Sequence, residues 1–546
     1  MAAAARIHAH AHAPSLRSSS RPPPRSCRII GGRGWDNSVV APQGWVRVRA
    51  VSTPSAEEES SLFCGPDGQV MDRPGGVSLV SESASKLYHI HTMGCQMNLA
   101  DSERMAGALE AEGYVCTPDI DMASVVVYNT CSIRDKAEQK VYSAVGRIAA
   151  KKRKSMGDTR IVVAGCVAQQ EGEALLRRIP ELDLVIGPQH APSIGHLLAQ
   201  VETTDAQLCA TEEIDGPVAE DVTAPKRDSS VSAWVNVIYG CNESCTYCIV
   251  PSVRGSEKSR DADAVLREVI ACAEAGYQEV TLLGQNIDAY GRDLPGVADD
   301  GSGRRLWTFS DLLRKVASDP LCPPRVRFAT SHPRYFTRRL VDTIAELPRV
   351  CRYFHIPFQS GDDEVLRRMA RGYTAQRYED ILAYVREKMP DCSITADAFV
   401  GFPGETEEQF ERTCDLVRRC KLDSVNTAAY SPRPGTPAAV WDDQVADLIK
   451  QDRLQRLNAV VAEVAEEASQ RWLGTEQWLL FEGVDAKDAC IAWGRTDGNR
   501  KTWVRCASEA EAEGLVGKFG RVTITEARAF SLSGDLLEVV SEPDRL

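Results

Sequence analysis

The run Gly240-Cys241-Asn242-Glu243-Ser244-Cys245-Thr246-Tyr247-Cys248 places three cysteines in C-x3-C-x2-C spacing directly after the strand-like segment Trp234–Tyr239. Three thiolates at this spacing can hold a four-iron cluster and leave its fourth iron open, whereas iron–sulfur clusters normally take four thiolates. An open iron can chelate a small molecule and pass it one electron. Structural zinc sites use paired arms and four ligands, which this run does not supply. The alternative is three chance thiols in a loop, and it explains neither the spacing nor the strand-end position.

Strand-like and helix-like segments alternate through the 200 residues around this run. Six strand–helix units predict a partial (βα)6 barrel, since a full barrel of this type has eight. The first strand ends at Cys241, so the three cysteines should lie at the barrel mouth. The predicted strands are Trp234–Tyr239, Glu279–Gly284, Arg325–Thr330, Arg352–Pro357, Ser393–Phe399 and Val425–Tyr430.

A second α/β region precedes the barrel and carries three more cysteines. Cys95, Cys131 and Cys166 each follow a predicted strand. Alternating strands and helices favour an open parallel sheet covered on both faces, and the carboxyl ends of its strands share one edge. We therefore expect these thiols to meet and form a second three-cysteine site, although three unrelated buried thiols remain the alternative. The predicted strands are Leu87–Met93, Val125–Asn129, Ile161–Ala164 and Leu182–Ile186.

Changes in composition divide the chain. Residues 86–203 form the predicted open parallel α/β sheet domain, 204–226 an acidic, proline-containing linker, and 227–460 the barrel. From about Arg471 the hydrophobic period becomes two, and Asp497-Gly498 is a hairpin signal. Residues 471–543 therefore predict a small antiparallel β-barrel of the oligonucleotide-binding type. The expected fold class is α/β with this third, all-β domain.

The amino terminus differs from everything after it. Residues 1–52 hold eight arginines, no lysine and one acidic residue, a composition typical of an organellar transit peptide, and residues 53–85 resemble a linker. A chloroplast destination is expected, with the mitochondrion as the alternative; a disordered tail is the other interpretation. The whole chain has a net charge of −13, so the part after the leader is near −20. That balance gives no general electrostatic attraction to nucleic acid, and any RNA binding must come from local patches. No apolar run approaches the roughly 18 residues of a membrane span.

Short motifs throughout residues 86–543 resemble those of the MiaB-type methylthiotransferases, a family within the radical S-adenosylmethionine (SAM) superfamily. The closing segment resembles a TRAM domain. The pair Gln96-Met97 after Cys95 resembles the branch that modifies isopentenyladenosine in tRNA, whereas related branches tend to have Pro-Lys or Lys-Val there. The motifs are Gly94-Cys95-Gln96-Met97-Asn98, Asn129-Thr130-Cys131-Ser132-Ile133-Arg134, Gly165-Cys166-Val167-Ala168-Gln169-Gln170, the run from Cys241 to Gly255, Leu283-Gly284-Gln285-Asn286, Thr330-Ser331-His332-Pro333, Val400-Gly401-Phe402-Pro403-Gly404 and Tyr430-Ser431-Pro432-Arg433-Pro434-Gly435.

The resemblance implies two [4Fe-4S] clusters and SAM as cofactors. Cys241, Cys245 and Cys248, the catalytic trio, would hold the cluster that binds and cleaves SAM to a 5′-deoxyadenosyl radical. Cys95, Cys131 and Cys166 would hold a second cluster that carries the sulfur, which a first SAM methylates. Such chemistry suits C2 of an adenine, whose hydrogen is not acidic, so that acid–base catalysis has little to act on.

Further site residues follow from the same resemblance. Gly284, Gln285 and Asn286 end the second barrel strand, where the superfamily contacts the SAM amino group. Asp397 and Gly401 are further cofactor-binding candidates; Asp397 faces either the barrel interior or a helix, and a tight turn alone would explain the glycine. In the TRAM-like region, Arg495, Lys501 and Trp503 are candidates for RNA contact.

The function that this resemblance implies is methylthiolation of C2 of N6-isopentenyladenosine, beside the anticodon of organellar tRNA. Expected partners are tRNA and an electron donor such as ferredoxin or flavodoxin, with no membrane, and the protein should be a monomer or a weak dimer. Two alternatives stay open: methylthiolation of a ribosomal-protein aspartate, and a non-catalytic iron–sulfur protein that binds RNA or has a regulatory role. Arg254 and Arg260 can hold phosphate or a SAM carboxylate, or can serve only as ion-pair partners.

Overall fold

The computed structural model describes residues 86–540, apart from 133–134, 156–158, 215, 217, 219–222, 295–296 and 299–303. The predicted transit peptide at 1–52 and the predicted linker at 53–85 lie outside the described residues. Among those that are described, no helix combines the length and apolar character that crossing a bilayer requires.

The amino-terminal region is an open, entirely parallel sheet of six strands in the order β2-β1-β3-β4-β5-β6. The central strand β3 is buried along its whole length because helices cover both faces of the sheet. Its residues Val125 and Val127 join one core with α1 and α5, while Val126 and Tyr128 join another with α2 and α4. The elements are β1 (Leu87–Met93), α1 (Gln96–Ala111), β2 (Val115–Cys116), β3 (Val125–Thr130), α2 (Asp135–Ser155), β4 (Arg160–Gly165), α3 (Cys166–Glu171), α4 (Glu173–Arg178), β5 (Leu184–Ile186), α5 (Ile194–Thr204) and β6 (Leu208–Ala210).

Two edge strands of this sheet were not predicted. Strands β2 and β6 have two and three residues, too few to show a hydrophobic period. Strand β6 lies inside the stretch 204–226 that the composition predicts as a linker, so part of that stretch belongs to the sheet. The helical segment after β4 is broken into α3 and α4 at Gly172, whose φ is 52°.

The central region is an incomplete barrel of parallel strands that follow chain order. One half pairs as β7-β10-β13 and the other as β14-β15-β16, and a parallel bridge between Val326 and Val350 joins the halves. No pairing among the described residues joins β7 to β16, so the ring stays open there. The elements are β7 (Ser232–Asn236), β8 (Ile238–Tyr239), α6 (Val250–Arg254), β9 (Lys258–Ser259), α7 (Ala262–Glu274), β10 (Glu279–Leu283), β11 (Val297–Ala298), β12 (Arg304–Arg305), α8 (Phe309–Ala317), β13 (Arg325–Ala329), α9 (Arg338–Glu346), β14 (Tyr353–His355), α10 (Asp363–Arg368), α11 (Ala375–Lys388), β15 (Ser393–Val400), α12 (Glu407–Cys420), β16 (Ser424–Ala429) and α13 (Asp447–Ser469).

The carboxy-terminal region is a closed five-stranded barrel in the order β17-β18-β19-β21-β20. The predicted fold class is therefore confirmed in all three parts. One pairing differs from the prediction, because β19 and β21 run parallel. A closed ring with an odd number of strands cannot alternate direction at every step, so one parallel pair is required. The elements are β17 (Glu476–Val484), β18 (Ile491–Thr496), β19 (Lys501–Arg505), α14 (Glu509–Leu515), β20 (Phe519–Ala527) and β21 (Ser531–Val540).

The turn between β18 and β19 closes the end of the central barrel that lies opposite the cysteine run. Arg325 and Arg327, in the first half of β13, are almost fully buried and reach this turn. Arg327 donates hydrogen bonds to the carbonyl oxygens of Thr496 (2.6 Å) and Asp497 (2.9 Å) and to Glu279 (2.8 Å). Arg325 pairs with the Asp497 carboxylate at 2.8 Å. The two barrels are thus joined by buried charge as well as by the apolar contact of Val231 with Leu480 and Phe519.

This junction gives a stability prediction. Arg327→Met should lower the free energy of unfolding by about 3–5 kcal/mol, because it leaves the buried Glu279 carboxylate and two carbonyl oxygens without their donor. Arg352→Met is the matched control: its ion pair with Asp391 is about half exposed, and its loss should cost less than about 1 kcal/mol. Urea unfolding followed by fluorescence measures both. Equal midpoints for the two variants would contradict the importance of this junction.

Candidate functional site

Three thiols come together at the carboxyl edge of the open sheet. Cys95, Cys131 and Cys166, called here the sheet trio, follow the adjacent parallel strands β1, β3 and β4. The Cys131 thiol hydrogen-bonds with both of the others. Adjacent parallel strands end at one edge, so residues about 35 positions apart in sequence become neighbours.

Two buried asparagines fix the start of α1 against the end of β3. Asn98 donates to Asn129 Oδ1 (3.1 Å), and Asn129 donates back to the Asn98 carbonyl oxygen (2.7 Å) and to Ser102 (2.8 Å). The Asn98 side chain also accepts from the backbone N–H of Cys95 at 3.3 Å. These residues stand beside the cysteines in the sequence motifs, which do not by themselves indicate these hydrogen bonds. They hold Cys95 at the start of α1, facing Cys131.

A glycine directs the third cysteine into the same site. Gly165 has a φ of 90°, and a Cβ atom there would lie 2.4 Å from Asn129 Oδ1 and 2.5 Å from the Thr130 carbonyl oxygen. Both the left-handed conformation and this close approach require glycine. Strand β4 can therefore turn sharply and place Cys166 beside Cys131.

The sheet trio favours the ionised form that metal ligands need. Hydrogen bonding from Cys131 lowers the pKa of Cys95 to about 6 and that of Cys166 to about 7, and the positive charge of Arg254 acts in the same direction. The pKa of Cys131 itself is raised by its hydrogen bonds to the other two sulfurs. Cys95 and Cys166 are thus both shifted toward the thiolate, the form that ligates a cluster.

The second trio, Cys241, Cys245 and Cys248, is called here the barrel trio. It lies in the loop between β8 and α6, at the carboxyl end of the barrel strands. Gly240 must be glycine, with a φ of 69° and a Cβ position 2.0 Å from the Ser256 carbonyl oxygen. Burial raises the pKa of Cys241 to about 12 and that of Cys248 to about 11. Arg371 donates to the Cys245 sulfur at 3.5 Å, so this loop also receives a buried positive charge.

Several contacts that sequence reasoning missed hold the cysteine loop in place. Glu243, between the first two cysteines, is 9% exposed and accepts hydrogen bonds from the Tyr335 hydroxyl and from Arg334 (3.2 Å). Thr246 is anchored by the Arg368 carbonyl oxygen at 2.9 Å. Tyr247 packs edge-on against Phe399, with 4.8 Å between ring centroids. The loop is therefore fixed from both halves of the barrel.

Some of the predicted SAM contacts lie at the same barrel mouth. Gly284 allows close packing, since a Cβ there would lie 2.4 Å from Ile238. Gln285 is half-buried, and Asn286 is 3% exposed with both amide atoms unpartnered among the described residues. Asp397 faces the barrel interior, where Asn426 donates to it at 3.0 Å and His355 lies 3.3 Å away. These positions settle the orientation of Asp397 in favour of the interior.

Gly401 is placed differently. Its backbone N–H donates to Glu405 at 2.7 Å, its φ is 74°, and a Cβ would lie 2.4 Å from the Lys450 side chain. Turn geometry and packing therefore explain this glycine, and its amide is already used within the protein.

Unpartnered polar atoms at the mouth test whether a polar ligand fits there. Asn236 Oδ1, both amide atoms of Asn286 and His332 Nε2 are buried and have no hydrogen-bond partner among the described residues. Asn236 ends β7, and Asn286 and His332 follow the adjacent strands β10 and β13, at the same edge as the barrel trio. Burial lowers the pKa of His332 to about 2, so its imidazole is neutral. Buried polar groups are costly without partners, so these atoms suit a ligand with several polar groups, such as SAM.

The donor chemistry of both trios fits an iron–sulfur cluster. The three thiolates of a four-iron cluster bind three different irons, whereas the ligands of a zinc ion converge on one atom. Each trio offers only sulfur, the ligand type such clusters take.

The sheet trio lies at the junction between the open sheet and the barrel mouth. Met97 and Ala100 of α1 pack against Leu283 and Ala329, at the carboxyl ends of β10 and β13, with Cys95 alongside. On the other side, Cys166 packs against Ile249 and Val253 around α6. Two members of the sheet trio, Cys95 and Cys166, therefore contact the end of the barrel that carries the barrel trio.

Buried ion pairs fix this arrangement of the two domains. Arg227 lies between Glu103 of α1 (2.8 Å) and Glu268 of α7 (2.5 Å). Arg254 pairs with Asp101 at 2.8 Å, and Arg260 pairs with Glu268 at 2.6 Å. The sequence leaves two interpretations for Arg254 and Arg260, contact with a ligand or an ion pair. In the structure both arginines make ion pairs within the protein.

The predicted RNA contacts lie on one outward face of the small barrel. Trp493 and Trp503 are paired across β18 and β19, with 6.5 Å between ring centroids. The Lys501 ammonium lies 4.1 Å from the first ring centroid and 4.6 Å from the second. Arg495 is held by Glu482 at 2.5 Å. Trp493 was missed, although its position two residues before Arg495 puts it on the same strand face.

Three family matches cover the three regions in chain order. Residues 87–187 match "Uncharacterized protein family UPF0004", residues 235–417 match the "Radical SAM superfamily", and residues 470–537 match the "TRAM domain". This domain order matches that of the MiaB-type methylthiotransferases. The central match implies SAM and a [4Fe-4S] cluster, and the TRAM match indicates RNA binding.

Solved structures that this chain resembles include two of TsrM, a radical S-adenosylmethionine methyltransferase from Kitasatospora setae. One, with cobalamin and a [4Fe-4S] cluster bound, is 15% identical, with a TM-score of 0.48 over 65% of this chain and 77% of that chain. The other, with tryptophan and aza-SAM bound, has the same identity and TM-score over 79% and 82%. The cobalamin-dependent radical enzyme OxsB, with aqua-cobalamin and S-adenosylmethionine bound, is 12% identical, with a TM-score of 0.45 over 68% and 56%.

Proposed function

We propose that this protein is a radical SAM methylthiotransferase that modifies C2 of N6-isopentenyladenosine, beside the anticodon of organellar tRNA. The observation that carries the proposal is a second cysteine trio packed against the barrel mouth that carries the first. A single trio would serve a radical enzyme of any kind. Two neighbouring trios provide separate positions for radical formation and for sulfur donation to the same base.

When bound, the two clusters and SAM supply the radical and the methylated sulfur. The chain's own residues do the positioning. The barrel trio would hold one cluster, and Arg371 places a positive charge beside the Cys245 sulfur. Asn236 and Asn286 offer buried amide groups to the polar part of SAM. The apolar contact of Met97 with Leu283 and Ala329 joins the start of α1 to the barrel mouth.

The assignment of tRNA as the substrate rests on the small barrel and on the residues after Cys95. Gln96-Met97 resembles the isopentenyladenosine branch, and Met97 lies at the junction between the sheet trio and the barrel mouth. The face formed by Trp493, Lys501 and Trp503 suits stacking on unpaired bases and pairing with phosphate. The arginine-rich residues 1–52 favour a plastid location, with the mitochondrion as the alternative, and ferredoxin or flavodoxin would supply electrons there.

Nucleoside mass spectrometry of plastid and mitochondrial tRNA from a strain lacking the protein tests this function. We expect the 2-methylthio form to disappear in one organelle while N6-isopentenyladenosine accumulates, and wild-type protein but not Cys245→Ala should restore it. Unchanged tRNA together with loss of a methylthiolated ribosomal-protein aspartate would replace the proposal with that activity. Unchanged tRNA and ribosomal protein would favour a non-catalytic iron–sulfur protein.

The RNA-binding face gives a separate prediction. Trp503→Ala should weaken binding of an anticodon stem-loop by about 1–3 kcal/mol if one base stacks on the ring, which is roughly 5- to 150-fold in Kd. The control is Arg521→Ala on β20, where the arginine pairs with Glu476 (3.2 Å) and Glu538 (2.8 Å). Fluorescence anisotropy at fixed salt measures both. Equal Kd values for Trp503→Ala and wild type would exclude this face from RNA binding.

A further inference from the structure

One short helix connects the two trios. Helix α6 begins two residues after Cys248 and ends at Arg254, and the apolar side chains of Ile249 and Val253 pack against Cys166. Five helical residues rise only about 7.5 Å. Arg254, the first charged residue after the barrel trio, therefore lies at the junction with the sheet trio.

Arg254 is buried where that helix meets the sheet domain. It is 5% exposed, and it directly follows Val253, which packs against Cys166. Nη1 lies 2.8 Å from Asp101 Oδ2, and Nη2 has no hydrogen-bond partner among the described residues. A buried guanidinium with an unused N–H group beside three thiols has donor capacity left for sulfur.

We propose that Arg254 is a positioning residue that holds Cys166 and, with Asp101 as its counter-ion, sets the reduction potential of a cluster on the sheet trio. The inference rests on the proposed function, in which that trio ligates a cluster. Hydrogen bonds to cluster sulfurs and the net charge nearby are the main controls on such potentials. A fixed positive charge favours the reduced, more negative cluster, and the Asp101 carboxylate opposes this effect.

The two members of the pair therefore have opposite effects. Arg254→Met should shift the midpoint potential of the sheet-trio cluster to a lower value, since a positive charge is lost. Asp101→Asn should shift it to a higher value, since the arginine charge is no longer compensated. A purely structural role for the pair predicts no such opposition, because both variants would only loosen the site.

The experiment uses the full-length chain with Cys241, Cys245 and Cys248 all replaced by alanine, so that only the sheet trio can hold a cluster. Redox titration followed by electron paramagnetic resonance gives the potential, and iron per chain is measured alongside. Arg254→Lys keeps the charge, so its midpoint potential should lie close to that of the protein that retains Arg254. Arg260→Met is the matched control, a buried arginine on the same segment that pairs with Glu268 at 2.6 Å and should leave the potential unchanged.

The outcomes separate this inference from the function on which it rests. If the background variant binds no cluster, both fail. If it binds a cluster and the two substitutions shift the potential in the same direction or not at all, only the role of Arg254 is overturned. If Arg254→Met folds but loses iron, the upward shift expected for Asp101→Asn still decides the electrostatic part.

Discussion

Replacing Cys245 with alanine will abolish reductive cleavage of SAM. Cys245 is 7% exposed and is the cysteine that Arg371 contacts, so its loss leaves that buried charge without its sulfur and the trio with two thiolates. Iron per reconstituted chain should fall by about half, because one of two clusters is lost. Chromatography of 5′-deoxyadenosine after dithionite reduction measures the cleavage.

A matched control for this variant lies in the same barrel. Cys414 on α12 is 2% exposed and packs in the apolar core away from both trios. Cys414→Ala should therefore keep cleavage and iron content and lose only some stability. Substantial cleavage by Cys245→Ala, or its loss in Cys414→Ala as well, would show that the barrel trio does not hold the cluster that acts on SAM.

The sequence could predict the meeting of the sheet trio because one topological rule is enough. Each of its cysteines follows a strand with a clear apolar run, and parallel strands end at a common edge. The barrel strands were predictable for the same reason, since buried parallel strands have near-continuous apolar segments. Where those runs shorten, as in β2 and β6, prediction failed.

Contacts between distant charged residues could not be predicted. Asp101 and Arg254 are 153 positions apart, and their types alone do not identify each other as partners. Arg325 and Arg327 did leave a signal, because charged residues alternate with Val326 and Phe328 in a predicted strand and so must face the barrel interior. The partner of that charged face is a turn 170 residues later, which no local pattern indicates.

The unpartnered asparagines could be predicted only in part. Asn286 belongs to a motif, and its place at a strand end was predicted. Its burial without a hydrogen-bond partner depends on the packing of β7, β10 and β13 around it. The motif thus identifies the position of Asn286, and the structure shows that its buried amide would gain hydrogen-bond partners from a ligand.

Replacing Cys131 with alanine will have the complementary effect: SAM cleavage close to the wild-type rate, and no methylthiolated product. Cys131 is 5% exposed, follows the strand between β1 and β4, and hydrogen-bonds to both other members of the sheet trio. Its loss removes the central ligand there but no contact of the barrel trio, which is held by Glu243, Thr246 and Arg371 from within the barrel.

Cys209→Ala is the control for this variant, since Cys209 lies on β6 of the same sheet and interacts with Thr211 rather than with the trio. It should retain both cleavage and product. Iron analysis, 5′-deoxyadenosine and modified nucleoside are measured on the same preparations, with thermal unfolding to show that each variant is folded. Should Cys131→Ala lose SAM cleavage as completely as Cys245→Ala, the two trios would act as one unit, and the assignment of radical formation and sulfur donation to separate sites would be wrong.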